Sequence, residues 1–247
     1  MSNTVYMHKY KTLITISHYN KRNKSHLNNL ISSLKNLDSS LSIIINDDNS
    51  YEEKKTTFKN INTLIRPNTG MNIGSWNSSY LNNRNFDFYI FLQDECVILK
   101  KDFIKKYISE LSKVNVGMTG ESINFKWAKN WENIASSNLN YVVGYDRLKR
   151  PIYRVQYYLS LMKKWGIQHG GNGLHLRSLI WGFKREILEK ISPFPIGKTK
   201  EQCIAAEISI SKKVEELGLK VTQVHKNPFN YISHIEWNIN GHNKVKQ

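Results

Sequence analysis

The chain has 247 residues, 40% of them hydrophobic and 11% aromatic, which excludes a wholly disordered protein and predicts one large folded domain. Lysine and arginine (36) outnumber aspartate and glutamate (20), so the formal net charge is +16. A charge of this sign predicts an anionic partner, which can be a phosphorylated ligand, acidic lipid headgroups or nucleic acid.

The cysteine count and the hydropathy pattern bear on location. Cys96 and Cys203 form neither a disulfide framework nor a CxxC metal pair, as is typical of proteins in a reducing cytoplasm. No apolar run approaches the roughly 18 residues that span a bilayer, and the N-terminus lacks the apolar stretch of a secretory signal. We therefore expect a cytoplasmic protein whose membrane contacts, if it makes any, are peripheral.

Short apolar runs alternate with helical patterns in the first half of the chain. Leucine and isoleucine recur at three- and four-residue intervals after residue 24, which predicts an amphipathic helix. Strands are predicted at 12–17, 41–47, 62–67 and 86–93, and helices at 24–37, 51–60 and 72–83. Strands that alternate with helices predict a parallel, doubly wound sheet, whose ligands bind at the carboxyl ends of the strands.

The second half of the chain has a less regular pattern. Strands are predicted at 116–125 and 219–224, with an irregular stretch at 126–152. A glycine-rich segment at 166–176 is either a loop that closes over a ligand or an ordinary turn. Helices are predicted at 102–111, 153–165, 184–191 and 200–217.

Polar residues follow each of the first four predicted strands, where the strand ends. The four clusters are Ser17, His18, Tyr19 and Asn20; Asp47, Asp48, Asn49 and Ser50; Asn68, Thr69 and Gly70; and Gln93, Asp94 and Glu95. Any one cluster has an alternative interpretation as turn or helix-cap chemistry. Because the carboxyl ends of parallel strands meet at one edge of a sheet, four clusters in succession predict a shared site.

The order and spacing of these segments resemble the bacterial family-2-type glycosyltransferases, which have the GT-A fold. The resemblance covers roughly residues 10–225 and is carried by "TISHYN", "IIINDDNS", "RPNTGMNIGSWNSSY", "FYIFLQDE", "GGNGLHLRSLIWGFKREIL" and "AAEISISKK". It implies a mostly parallel central sheet flanked by helices, in a single domain over 1–247. Within it, about 10–112 would bind a nucleotide sugar, about 113–235 would bind the acceptor, and 236–247 would form a polar tail.

The resemblance also implies which residues bind the donor. Ser17, Tyr19 and Asn20 correspond to residues that line the nucleotide pocket. Asp47 or Asp48 corresponds to the acid that accepts hydrogen bonds from the base. The remaining donor-side candidates are Asn68, Gly70 and Asn72, in a segment where small residues let the backbone approach the sugar nucleotide, and Gln93 and Asp94 after the fourth strand. Gln93 is expected to hydrogen-bond ribose or donor sugar.

A divalent cation, Mn²⁺ or Mg²⁺, is implied in the same way. Family members hold it against the donor diphosphate with a short acidic motif after a strand, since hard cations prefer carboxylate oxygens. Here "LQDE" has Gln93 at the first acidic position, so Glu95 is the expected ligand, Asp94 its neighbour, and a late histidine, His225 or His234, completes the site. This departure leaves metal dependence open, and a solvated turn at the strand end is the alternative.

Glu207 is the expected catalytic base, with Glu121 in reserve. For an inverting transfer, a carboxylate removes the proton of the acceptor hydroxyl as that oxygen attacks the anomeric carbon. The alternative for Glu207 is an ordinary exposed glutamate on a helix.

The function implied is a hexosyltransferase-like enzyme that moves a sugar from a nucleotide-diphosphate sugar to a glycan or lipid-diphosphate-linked acceptor. Its implied setting is surface polysaccharide synthesis, such as O-antigen, lipopolysaccharide or capsule, at the cytoplasmic face of the inner membrane. A nucleic-acid-binding protein is a rival, suggested by the pI of about 9.7, but no zinc spacing, RNP-like segment or helix-turn-helix is present in the sequence, so no nucleic-acid partner is expected. A catalytically silent nucleotide-sugar binder is a second rival, suggested by Gln93.

Overall fold

The computed structural model describes residues 10–35, 37, 39–47 and 61–237, and over 41–47 only the backbone course is described. Asp48 and the predicted helix at 51–60 lie outside the described residues, as does most of the predicted tail. The helices are α1 Lys24–Leu34, α2 Met71–Asn82, α3 Phe103–Leu111, α4 Trp131–Ala135, α5 Arg154–Lys164, α6 Arg185–Ile191 and α7 Lys200–Glu216. Over these ranges, no helix combines the length and the apolar character that crossing a membrane requires.

The strands form one large sheet and two small ones. They are β1 Thr12–Tyr19, β2 Ser40–Asp47, β3 Asn62–Pro67, β4 Phe88–Gln93, β5 Cys96–Ile98, β6 Val116–Gly120, β7 Val142–Tyr145, β8 Pro151–Tyr153, β9 Ile180–Lys184, β10 Lys220–Gln223 and β11 Ile232–His234. The large sheet has the order β10-β6-β9-β4-β1-β2-β3. β5 pairs with β11, and β7 pairs with β8.

The central sheet is mostly parallel, as predicted. β1 runs parallel to both β2 and β4, and β2 runs parallel to β3. β9 is the exception, because it runs antiparallel to both of its neighbours, β4 and β6. The register places Ser17 opposite Gln93 and Tyr19 opposite Asn46, so the carboxyl ends of three strands lie at one edge of the sheet.

Both faces of the sheet are buried, which explains why its strands have nearly continuous apolar sequences. On one face, Trp76 of α2 stacks on Phe91 at 5.7 Å between ring centroids and meets Trp181 at 4.9 Å. On the opposite face, Ile14 and Ile16 of β1 pack with α1 and α3. The alternation of side chains along each strand divides the core into these two layers.

Two elements differ from the sequence prediction. The strand predicted at 116–125 ends at Gly120, and the chain leaves the large sheet so that Ile123 forms an isolated bridge with Leu176. The stretch 126–152, predicted to be irregular, contains α4 and most of the β7–β8 hairpin. Residues 121–123 remain buried after β6 ends, so the apolar pattern does not mark the end of the strand, whereas β7 and β8 are short and largely exposed and give little hydrophobic signal.

Helix α2 lies close to β1 because small and hydroxyl-bearing residues face each other. The Oγ1 atom of Thr15 lies 2.6 Å from Oγ of Ser79, and Ser17 donates to Oγ of Ser75 at 3.0 Å. Thr15 and Ser17 lie two residues apart on one face of β1, and Ser75 and Ser79 lie four residues apart on one face of α2, so both pairs form along the same line of contact. They satisfy hydroxyl groups that would otherwise be buried without partners.

Gly74 in α2 is required by the loop before the helix. A Cβ atom at this position would lie 2.0 Å from the carbonyl oxygen of Thr69 and 2.9 Å from NH2 of Arg66. Those two groups are hydrogen-bonded to each other at 2.7 Å. Because Gly74 has no side chain, residues 68–70 can pack directly against the first turn of α2.

We predict that Gly74→Ala lowers the free energy of unfolding by about 1–3 kcal/mol, since the added methyl group must displace this loop. Urea unfolding followed by circular dichroism measures the change. Gly144→Ala is the matched control, because a Cβ atom there meets nothing within 4 Å, and its effect should stay within about 0.5 kcal/mol. Equal stability of the Gly74 variant and wild type would contradict the packing described.

Candidate functional site

A cavity of about 590 Å³ opens at the carboxyl edge of the parallel strands. This volume lies in the range of small-molecule sites, about 300–1,000 Å³. Its walls combine strand ends with the loop before β9 and one face of α7. The lining residues are Ser17, Tyr19, Arg22, Asn68, Met71, Asn72, Gln93, Asn124, Trp127, Arg154, His175, Arg177, Ser178, Leu179, Lys200, Cys203, Ile204, Glu207, Glu236 and Trp237.

The predicted donor-binding residues divide into two groups. Ser17, Tyr19, Asn68, Asn72 and Gln93 all line the cavity. Asn20, Gly70 and Asp94 do not; Asp47 ends β2 at the same edge, but its side chain is not described, and Asp48 lies outside the described residues. The convergence of strand ends on one cavity therefore holds for residues from three separate segments.

Gly70 does not line the cavity, but it determines the course of the backbone before α2. It precedes α2 with a φ of 78°, a left-handed conformation that glycine adopts at little cost. A Cβ atom would also lie 2.8 Å from Cγ2 of Ile196. The residue thus sets the direction in which the chain passes from Asn68 into α2.

Asp94 is buried beneath the cavity wall, with only 1% of its surface exposed. Nδ1 of His18 lies 2.5 Å from Oδ2, and NH1 of Arg22 donates to Oδ1 at 3.1 Å. The backbone N–H of Asp94 donates to the carbonyl oxygen of Ser17 at 3.1 Å. Each carboxylate oxygen of Asp94 therefore already has a positively charged or N–H partner from the protein.

Glu95 has a similar arrangement. NH1 of Arg22 makes a short hydrogen bond to Oε2, and Nε2 of His234 lies 3.7 Å from the same oxygen. The three predicted metal ligands, Asp94, Glu95 and His234, thus come close together. Among the described residues, however, no group of three histidine, cysteine or carboxylate side chains is arranged to hold a metal ion.

The ring of His234 is occupied at both nitrogens. The backbone N–H of Glu236 donates to Nδ1 at 3.2 Å, so Nε2 carries the proton and donates to Oε1 of Gln93 at 3.1 Å. A metal-binding histidine needs a ring nitrogen with a free lone pair. The placement of His234 suits the orientation of Gln93 better than it suits metal ligation, and His225 does not line the cavity.

Ser178 connects the two sides of the cavity through its backbone. Its carbonyl oxygen accepts a hydrogen bond from Nε2 of Gln93 at 2.7 Å and a short one from Nδ2 of Asn72. Its N–H donates to Oε2 of Glu207 at 2.6 Å. One peptide segment therefore fixes the predicted donor-side amides and the predicted base relative to each other.

Glu207 is not an exposed helix residue, because only 13% of its side chain is accessible and it faces the cavity. It lies two turns into α7, beside Ala205 and Ala206, which are buried in the core. Burial by itself raises the pKa of Glu207, but hydrogen bonds from His175 and from Ser178 outweigh that effect and hold the pKa below its usual range. Glu207 is therefore ionised at neutral pH and able to accept a proton.

His175 contacts the second oxygen of this carboxylate, with Nε2 lying 3.1 Å from Oε1 of Glu207. Its Nδ1 lies 2.7 Å from the carbonyl oxygen of Gly173, so Nδ1 carries a proton. Nδ2 of Asn124 lies 3.3 Å from the same Nε2 atom, so the ring of His175 lies between Asn124 and Glu207. Nothing in the sequence predicts this position for His175, because a lone histidine is more often structural.

Positive charge dominates the cavity wall. Arg22, Arg154, Arg177 and Lys200 line it, against Glu207 and Glu236. Arg177 is buried and donates to the carbonyl oxygen of Ile123 at 3.0 Å, and burial lowers its pKa although Glu207 counteracts this. Arg154 lies over the ring of Trp127 at 5.1 Å. The wall therefore suits an anionic ligand bound beside aromatic surface.

Glu121, the reserve candidate for the base, does not line the cavity. It is fully buried, accepting hydrogen bonds from the hydroxyl of Tyr107 and from the N–H of Tyr231, each at 3.2 Å. Burial raises its pKa to about 7, because desolvation outweighs these hydrogen bonds. Glu121 lacks the access to a ligand that a catalytic base needs.

Comparison with known proteins supports the fold and no finer assignment. No protein-family model matches the sequence, and no curated protein matches it significantly. A mannosyltransferase from Pyrobaculum calidifontis, solved with GDP-Man and Mn²⁺, is similar in structure, with a TM-score of 0.53 and 10% identity over 88% of this chain. The match covers 55% of that enzyme, so the present chain spans about half its length.

Two further solved structures are more distant. One is CMP:2-keto-3-deoxy-manno-octonic acid synthetase with CTP, at a TM-score of 0.45 and 11% identity over 86% of this chain and 88% of that one. The other is a cytidylyltransferase from Leptospira borgpetersenii, with a TM-score of 0.44 and 12% identity over 87% of this chain and 75% of that one. At sequence identities of 10% to 12%, structural similarity is evidence about the fold alone. The mostly parallel central sheet flanked by helices, together with the similarity to the mannosyltransferase, confirms the predicted α/β fold class.

The raised pKa of Glu121 predicts a pH-dependent stability. The acid keeps its proton in the folded state up to a pKa of about 7, whereas an unperturbed glutamate loses it near 4.5. Folding therefore binds a proton between these values, and the free energy of unfolding should fall by up to about 3 kcal/mol as pH rises through them. Urea unfolding at about pH 5 and about pH 7.5 measures this change.

Glu121→Gln should remove most of that difference, because the amide does not titrate. Glu189→Gln, which alters an exposed glutamate with 58% of its side chain accessible, should keep the wild-type pH dependence. An identical pH dependence in Glu121→Gln and wild type would show that Glu121 is ionised normally in the folded protein.

Proposed function

We propose that this chain is an inverting glycosyltransferase that binds a nucleotide-diphosphate sugar in the 590 Å³ cavity and transfers its sugar to a hydroxyl of a glycan or lipid-linked glycan acceptor. The observation that carries this proposal is the backbone of Ser178. Its carbonyl oxygen holds Gln93 and Asn72, and its N–H holds Glu207. A carboxylate at a fixed distance from donor-side amides is the arrangement that a transfer between two bound substrates requires.

Glu207 acts as the general base in this proposal. It accepts the proton of the acceptor hydroxyl while that oxygen forms a bond to the anomeric carbon of the donor. The bond between the anomeric carbon and the diphosphate oxygen breaks, and the nucleoside diphosphate leaves with the electron pair. Because its pKa lies below the usual range, Glu207 is in the carboxylate form that this role requires at neutral pH.

Residues of both halves of the chain contribute to the cavity. We propose that 10–112 binds the nucleotide sugar, with Ser17, Tyr19 and Asn68 at the nucleotide and Asp47 or Asp48 at the base. We propose that 113–235 binds the acceptor, where Trp127 and Arg154 offer aromatic surface and positive charge. The hexosyltransferase class, the surface-polysaccharide setting and contact with the inner membrane rest on the sequence resemblance.

The donor set around Asp94 and Glu95 does not fit a divalent cation. Both oxygens of Asp94 are engaged by His18 and Arg22, and both ring nitrogens of His234 are engaged by protein groups. The mannosyltransferase of similar fold was solved with Mn²⁺. The reaction proposed for this chain therefore uses protein side chains alone.

Donor binding and turnover test the proposal. The purified protein is titrated calorimetrically with UDP-, GDP- and dTDP-sugars, and release of nucleoside diphosphate is followed with water or simple glycosides as acceptors. One donor class should bind and be turned over slowly. Donor binding without any turnover, given an accepted glycan, would instead favour a silent binder, and salt-sensitive DNA or RNA binding without donor binding would favour a nucleic-acid-binding protein.

Glu207→Gln should reduce transfer by at least about a hundredfold, since a positioned base contributes roughly 10²–10⁴ to the rate. Donor affinity should change by only a few-fold, because the base acts in the transition state. Glu132→Gln, at an exposed glutamate of α4, is the matched control and should behave as wild type. Near-normal turnover in Glu207→Gln would remove Glu207 from the mechanism.

A further inference from the structure

The cavity meets a guanidinium group where the sequence predicts carboxylates. Arg22 lines the cavity and has 39% of its side chain accessible, whereas Asp94 and Glu95 are buried behind it and do not line the wall. NH1 of Arg22 binds both carboxylates at once. A ligand at this position therefore encounters the positive end of the cluster.

We propose that Arg22 takes the place of a divalent cation and binds the diphosphate of the nucleotide-sugar donor directly, so that donor binding is independent of metal. This inference rests on the proposed function, because it assigns the donor diphosphate to the same cavity. Arg22 neutralises the charge of the leaving nucleoside diphosphate as a metal ion would, with the two carboxylates as its support.

The guanidinium fork has unused donors for this task. The hydrogen bonds that the Arg22 side chain makes with residues the structure describes all come from NH1, and none of those residues accepts from NH2 or Nε. A planar guanidinium binds two phosphate oxygens through parallel N–H donors, and such charge-assisted bonds are among the strongest in proteins. One nitrogen anchors the side chain, and the other two can bind the ligand.

The side chain of Arg22 is anchored by two carboxylates, and its backbone is also fixed. Its backbone N–H donates to the carbonyl oxygen of Tyr19 at 2.8 Å, which closes the turn after β1. Asp94 is itself fixed by His18 at 2.5 Å. A charge fixed before the ligand arrives binds more tightly than a flexible surface lysine, because less conformational entropy is lost on binding.

The same contacts oppose a metal ion. A divalent cation that bound Asp94 and Glu95 would have to displace Arg22 from both carboxylates and compete with His18 for Oδ2 of Asp94. Without Arg22, in contrast, two adjacent buried carboxylates remain without a guanidinium partner, and a cation could then compensate their charge. Arg22 and a metal ion are therefore alternative occupants.

Calorimetric titration in the presence of EDTA, and separately in MnCl₂, tests the proposal. The probes are UDP, GDP, dTDP and inorganic pyrophosphate. We expect at least one nucleoside diphosphate to bind in EDTA with an affinity within about threefold of that in MnCl₂. MnCl₂ alone should produce neither a binding isotherm nor an increase in the thermal unfolding temperature of the wild-type protein.

Variants assign the effect to Arg22. Arg22→Met should weaken nucleoside diphosphate binding at least about tenfold in EDTA, since it removes a charge-assisted pair of hydrogen bonds. Arg22→Lys should recover part of that loss, because it restores the charge without the fork. Lys105→Met removes one positive charge from an exposed position on α3 and should bind as wild type.

Arg22→Met removes the guanidinium partner that two buried carboxylates share, so this variant can fail to fold. The double variant Arg22→Met with Glu95→Gln removes one of those charges, and it should fold and show the same loss of affinity. If either folded variant keeps wild-type affinity in EDTA, the assignment of Arg22 is overturned.

The remaining outcomes separate this inference from the proposed function. Nucleoside diphosphate binding that requires MnCl₂ and is lost in EDTA would overturn the role of Arg22 and leave the glycosyltransferase proposal standing. Binding of no nucleoside diphosphate under either condition would overturn both.

Discussion

The ion cluster behind the cavity wall is the constraint on which the site depends. Two adjacent carboxylates at the end of a buried strand cost several kcal/mol unless they are neutralised. Here Arg22, from the turn after β1, reaches both Asp94 and Glu95 after β4. The cluster therefore ties together the ends of two neighbouring parallel strands, and it determines which charge faces the cavity.

The positions of the other site residues depend on this connection between β1 and β4. β1 and β4 share a register that brings Ser17 beside Gln93, and Gln93 in turn holds the backbone of Ser178. Ser178 fixes Glu207 on the opposite wall. A chain of direct contacts thus connects the buried acids to the carboxylate that faces the ligand. The excess of arginine and lysine on the wall agrees in sign with the net charge of +16.

The sequence predicted what depends on period and order, and it did not predict what depends on tertiary contact. The buried strands β1 and β4 are continuous apolar runs, helices α1 and α3 have clear apolar periodicity, and polar clusters after parallel strands are expected to converge. The antiparallel direction of β9 and the short strands β5 and β11 leave no such signal. Arg22 resembles any basic residue in a surface loop, so only the fold could pair it with Asp94. The contacts of Ser178 with Gln93, Asn72 and Glu207 could not be predicted either, because Ser178 makes them with backbone atoms.

A crystal structure with a bound nucleoside diphosphate, grown with MnCl₂ and recorded with the anomalous signal of manganese, tests the central claim most directly. We expect diphosphate oxygens within hydrogen-bonding distance of NH2 or Nε of Arg22, and no anomalous peak between the phosphates and residues 94–95. A manganese ion bound to Asp94 and Glu95, with Arg22 turned away from both, would contradict the account.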